Sequence, residues 1–192
     1  MRFRIGAIPE SPDFTPDASW HPLREPSPRQ VQLLALPIGL LAAGGFILLW
    51  WALTPPPGID LPRSVLKFGL TFGGIIVVHE LIHALVHPRA GVSRHSILGV
   101  WPARLIFYAH YDGELTRNRF AAILLMPLLC LSAAPLVVGA VAHLSLPWLA
   151  FVSAFNAFLA CGDILGASLV LYQIPAQAIV RNQGWKTYWR AP

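Results

Sequence analysis

Four apolar stretches, each long enough to cross a bilayer as a helix, constrain this chain more than any other feature. A spanning helix takes roughly 20 residues at about 1.5 Å each, and the runs extend from about Val31 to Leu53, Val65 to Val86, Phe120 to Leu144 and Pro147 to Leu171. Composition agrees with a lipid solvent: 55% hydrophobic residues, 12% charged and a mean hydropathy of +0.57 lie outside the usual range of a soluble domain. The expected fold class is an all-α membrane protein of four transmembrane helices.

Ahead of the first run, Pro9, Pro12, Pro16, Pro22, Pro26 and Pro28 punctuate a polar segment that fits neither a signal peptide nor a helix. Residues 1–30 therefore read as an irregular N-terminal arm, 31–172 as the membrane domain and 173–192 as a C-terminal tail, with no internal repeat. The formal charge of +5 points to topology rather than to nucleic acid. Arg2, Arg4, Arg24 and Arg29 precede or open the first span, Arg89, Arg94, Arg104, Arg117 and Arg119 fall between the second and third, and Arg181, Lys186 and Arg190 follow the fourth, leaving Arg63 and Lys67 on the other side. By the positive-inside rule both termini and the middle loop are cytoplasmic. The partner this implies is the lipid bilayer, and no oligomeric state is specified.

Pro55-Pro56-Pro57-Gly58 breaks the chain after the first span, and a short outer loop with Asp60 leads into the second. In the middle loop, Arg104 to Tyr111 is rich in β-formers and is followed by Asp112-Gly113, a favoured turn pair, so a small hairpin from Arg104 to Leu115 is expected at the cytoplasmic face. Thr116 is placed to cap the third span, Pro127 and Pro135 predict kinks in it, and a tight turn from His143 to Pro147 makes spans three and four antiparallel neighbours. Trp50, Trp51, Trp148, Trp185 and Trp189 suit interfacial anchoring.

Glu80 and Asp163 stand apart from the other acidic residues because they lie inside spans, where an ionised carboxylate costs roughly 2.5–3.5 kcal/mol unless something compensates it. The motif His79-Glu80-Leu81-Ile82-His83 supplies a reason. Two histidines four apart project from one helix face with about 5–6 Å between Cβ atoms, which suits two imidazoles meeting one zinc ion. Glu80 is turned aside, beside the metal without binding it, where it can take a proton from an activated water. A catalytic zinc site commonly takes a third protein ligand. Asp163 fits by depth: counted from the cytoplasmic ends of their spans at 1.5 Å per residue, it lies about 13 Å in, against about 9 Å for the midpoint of His79 and His83. Gly162 beside it permits close approach, and Asn156, two turns earlier on the same face, is a candidate for binding a substrate backbone. His87 shares the face of His83 but lies just before Pro88 and reads as an interfacial group, while Tyr108 and Tyr111 would reach a tetrahedral oxyanion only if the hairpin folded over the site.

This pairing of His79-Glu80-Leu81-Ile82-His83 with Asn156 and Gly162-Asp163 resembles the site-2 protease type of intramembrane zinc metalloprotease. It is closer still to a compact bacterial family of four-span zincins with the same first motif and a later N…G-D. The resemblance covers roughly Val65 to the tail, including Ile174-Pro175 and Gly184-Trp185-Lys186-Thr187-Tyr188-Trp189. It implies zinc held by His79, His83 and Asp163, Glu80 as catalytic acid and base, a membrane protein or peptide as substrate, and a bacterial inner membrane as location. The chain departs from the site-2 pattern in having Gly162 before Asp163 and no proline following Asn156. A non-enzymatic zinc-binding membrane protein, whether sensor, transporter or scaffold, is the alternative from another class.

Overall fold

The strands β1 (Arg2–Ile5) and β2 (His21–Pro22) precede two long helices, α1 (Pro28–Leu53) and α2 (Val65–Val86). After α2 come β3 (Ser96–Trp101), β4 (Ile106–Tyr111) and β5 (Leu115–Thr116), then α3 (Arg117–Leu128), α4 (Ala134–Val141), α5 (Pro147–Leu159) and α6 (Cys161–Gln173), and finally β6 (Ile179–Gln183) and β7 (Lys186–Arg190). The computed structural model describes residues 1–55, 61 and 64–192; Pro56-Pro57-Gly58, Asp60 and Arg63 lie outside the described residues.

Among these, Arg29–Leu53, Val65–Val86 and Arg117–Val141 are long and apolar enough to cross a membrane. The last counts as one helix because Leu129–Ala133, between α3 and α4, is a π-helical turn rather than a break. The expected fourth span is two helices, α5 and α6, bent by 55°, so the chain has three such helices, or four where the bent pair is one span. Thr116 caps α3 as expected, its hydroxyl accepting the Arg119 N–H at 3.2 Å. α4 closes in a Schellman arrangement: His143 takes the left-handed conformation (φ 51°), and Leu144 N–H donates to Gly139 O at 2.9 Å.

An all-α description with a single hairpin omits much of the β structure. Sheet order is β1-β3-β4 in one sheet and β2-β7-β6-β5 in another. The expected hairpin pairs differently. β4 runs antiparallel to the upstream β3, with Trp101 opposite Ile106, and the chain reverses through Pro102–Arg104 with Leu105 in the left-handed region. Asp112-Gly113 cannot be the hairpin turn, because only Glu114, Leu115 and Thr116 follow it before α3 begins, too few to return along six-residue β4. β5 instead pairs with β6, Leu115 opposite Val180. The arm contributes β1, parallel to β3, and β2, antiparallel to β7, and the tail folds as the β6–β7 hairpin around Gly184 (φ 60°).

The chain divides into two compact units. Met1–Ser27, Glu80–Leu125 and Gly166–Pro192 form the first, which holds both sheets and a core of Leu23, Ala121, Val170, Ile174, Ala178 and Val180. Pro28–His79 and Met126–Leu165 form the second, built on α1, α4 and α5. There Trp50, expected at an interface, is instead only 1% exposed and packs with Leu136 and Ala150.

Candidate functional site

α2 carries the motif in its last third. Its run of β-branched and aliphatic residues continues to Val78, so that helical periodicity brings the polar residues His79, Glu80 and His83 into the final two turns. One ligand atom from each lies within 4.8 Å of the others, and both histidines are buried. Arg119 closes the helix below them. Its Nε donates to Val86 O at 3.1 Å and a terminal nitrogen to His87 O at 3.2 Å, a cation on carbonyls that have no helical donor.

Each histidine is held through its Nδ1. His83 Nδ1 donates to the Ile123 carbonyl at 2.7 Å, which turns Nε2 to the other side of the ring. His79 Nδ1 donates to Asn156 Oδ1 at 2.9 Å, and its Nε2 lies 2.9 Å from Asp163 Oδ2. Asp163 occupies the first turn of α6, directly after the bend, where the helix N-terminus favours a carboxylate. Two acceptors facing each other at this distance call for a cation or a proton between them. Tetrahedral zinc, with bonds of about 2.0–2.1 Å, separates its ligand atoms by about 3.3 Å, a few tenths of an ångström more than is found. An imidazole and a carboxylate are donor types of a catalytic zinc site, and Glu80 and His83 follow His79 on the same helix, one ligand atom from each of the three lying within 4.8 Å of the others.

The other expected residues are placed elsewhere. Asn156 is wholly buried, its carboxamide bonded to His79, Pro127 O and Ser132 Oγ. That saturates the amide with partners inside the protein and makes it a support for His79 rather than a free contact for substrate. The Tyr108 hydroxyl donates to Gly6 O and Ala7 O, both at 3.3 Å, so it is engaged with the arm and not turned to an oxyanion. Tyr111 packs against the rings of His87 and His95, at 5.4 and 6.0 Å between centroids. His87 is buried rather than interfacial, with Nδ1 3.2 Å from Ser96 Oγ; burial is the main cause that lowers its pKa to about 4. Among the described residues nothing lies within 4 Å of a Cβ built on Gly162, so none of them uses that glycine for close approach. Sequence reading missed Ser132 and Ser153, both fully buried beside Asn156. Two serines within apolar runs are the signal that points to them.

No curated protein and no solved structure matches the chain. A family profile described as "putative zincin peptidase" matches residues 72–179, more than half of the 192, and takes in the motif of α2 and Asp163. The chain belongs to this zincin-type metallopeptidase family, whose cofactor is zinc.

Proposed function

We propose that the protein is a membrane-embedded zinc peptidase, related to the site-2 protease type, that hydrolyses a peptide bond in or near a membrane segment of its substrate. His79, His83 and Asp163 hold the zinc and Glu80 moves the proton. The observation that carries this reading is the opposition of His79 Nε2 and Asp163 Oδ2 at 2.9 Å. With Nδ1–H given to Asn156, Nε2 is the ring nitrogen that faces the carboxylate, and a divalent cation would satisfy both.

Zinc held there by His79, His83 and Asp163 would supply Lewis acidity to the substrate carbonyl and to the attacking water. Glu80 takes one proton from that water as its oxygen bonds to the carbonyl carbon, and delivers it to the amide nitrogen as the C–N bond breaks. The water's oxygen thus ends in the new carboxylate and its protons reach the amine and solvent. A helical substrate hides its carbonyls in internal hydrogen bonds and has to unwind locally to be cut. The apolar helices support placing this chemistry in a membrane-spanning domain over 31–172, in the inner membrane of a bacterium with both termini cytoplasmic.

The test is metal analysis and peptide cleavage on the purified full chain. Glu80→Gln is expected to keep its zinc and lose about 10²- to 10⁴-fold in hydrolysis of a transmembrane peptide. His79→Ala and Asp163→Ala are expected to lose the zinc. Zinc retained by both of these would overturn the ligand set, and full activity in Glu80→Gln would overturn the mechanism.

A further inference from the structure

The irregular stretch between α3 and α4 turns outward hydrogen-bonding groups that a regular helix uses internally. Pro127 has no N–H, so the carbonyl of Ile123, four residues earlier, receives no helical bond from it. That carbonyl accepts from His83 Nδ1 at 2.7 Å. Pro127's own carbonyl accepts from Asn156 Nδ2 at 3.1 Å, and Ser132 Oγ, within the π turn Leu129–Ala133, accepts from the same nitrogen at 2.9 Å. Ser132 Oγ in turn donates to Ser153 O at 2.7 Å, and Ser153 Oγ donates to Ser132 O at 2.9 Å. Ser132, Ser153 and Asn156 are each 0% exposed, so water does not compete for these bonds. Because the amide nitrogen of Asn156 is engaged by two acceptors, the carboxamide cannot rotate, and only its oxygen faces His79. Nδ1 of His79 therefore carries a proton, and Nε2 is the ring nitrogen left to face Asp163.

We infer that the Pro127–Ala133 stretch is a positioning device for the zinc histidines. Ser132, acting through Asn156, fixes the tautomer and ring rotation of His79. Pro127, by withholding an N–H from the Ile123 carbonyl, fixes those of His83. Partners of this kind are worth about 10- to 100-fold in metal affinity. The inference rests on His79 and His83 being zinc ligands, as proposed above.

The experiment measures zinc affinity of the full chain by competition with a chromogenic chelator, together with the visible spectrum of the cobalt(II)-substituted protein. Ser132→Ala and Asn156→Ala are each expected to weaken zinc binding about 10- to 100-fold and to alter the cobalt bands. Since Ser132 acts through Asn156, the double variant is expected to bind no more weakly than Asn156→Ala alone. Pro127→Ala restores a helical donor to Ile123; it is expected to weaken zinc about tenfold while the metal-free protein keeps its helical content. Cys130→Ala, in the same turn with an exposed side chain, is expected to leave affinity and spectrum unchanged. Wild-type affinity and cobalt bands in Ser132→Ala and Pro127→Ala would overturn the inference, as would losses that simply add in the double variant. Failure of the ligand reading looks different: His79→Ala would then bind zinc like the wild type. If Asn156→Ala does not fold, Ser132→Ala and Pro127→Ala still decide.

Discussion

At His110, an ionisable ring buried in β4 ties the stability of the fold to pH. The side chain is 5% exposed and its Nε2 has no hydrogen-bond partner among the described residues. Burial is the main cause that holds its pKa down to about 4, from an ordinary 6.5; Asp112 pulls the other way and Arg2 adds to the depression. The folded protein therefore keeps the ring neutral at pH values where the unfolded chain has already taken a proton. Stability is full above about pH 6.5 and falls as the pH drops toward 4, by about 3 kcal/mol for a shift of this size. His87, also lowered to about 4, acts in the same direction. The thermal midpoint of the purified protein is expected to fall steadily across this interval and His110→Gln to flatten part of the decline; a wild-type midpoint constant from pH 6.5 to 4 would contradict it. Residue by residue, the sequence is most legible where spacing determines geometry. His79 and His83 share a face because they are four apart on a helix, and Asp163 is reached from its depth. Asn156 is not legible in the same way, since what a carboxamide meets depends on a π turn in another element that its own neighbours do not encode. The partners of Tyr108 are not legible for a similar reason, its acceptor carbonyls lying some hundred residues away.

Elements defined by a long apolar run are read almost to the residue, and α2 begins and ends at Val65 and Val86 as expected. Such a run favours one uninterrupted helix, because in apolar surroundings every backbone polar group has to be satisfied within its own segment. Strands in the loops have no comparable constraint. β4 is found from its β-branched and aromatic content, but its partner is not, because composition marks a strand without marking its neighbour. The bend between α5 and α6 likewise has no proline to announce it. Close packing between helices is more accessible, through glycine. A Cβ on Gly39 of α1 would lie 2.8 Å from Phe158 O and 2.9 Å from its ring in α5, so the backbones would have to separate, whereas Gly44 has nothing within 4 Å. Gly39→Ala is expected to destabilise the protein by about 1–3 kcal/mol. Gly44→Ala, which only removes a flexible residue from a helix, is expected to be neutral or to stabilise by up to about 1 kcal/mol. Denaturant titration of the two variants in detergent compares them directly, and equal stability would refute the close approach of α1 and α5.

At the scale of the whole molecule, three strand pairings bear on the membrane threading proposed for the chain. β1 of the arm pairs with β3 of the middle loop, β2 of the arm with β7 of the tail, and β5 of the loop with β6 of the tail. If the apolar helices cross a membrane, strands that share hydrogen bonds share one side of it, and arm, loop and tail lie together. This agrees with the basic residues, of which all but Arg63 and Lys67 lie in or next to those three segments. It also bears on the bent pair. With one crossing for each long apolar helix, α1 and α2 would return the chain to the side of the arm, and α3 with α4 would make a third crossing. If α5 and α6 formed a re-entrant loop, the tail would emerge opposite the middle loop and β6 could not reach β5. On the membrane reading proposed above, the pair crosses once, as a broken span whose 55° bend precedes Asp163 at the start of its second half. The expected outcome is that a reporter fused after Arg190 and one inserted in the loop at Gly113 report the cytoplasm, while one inserted at Ser145, between α4 and α5, reports the opposite side. A tail reporter on the far side would require a re-entrant pair and would break the β5–β6 pairing with it.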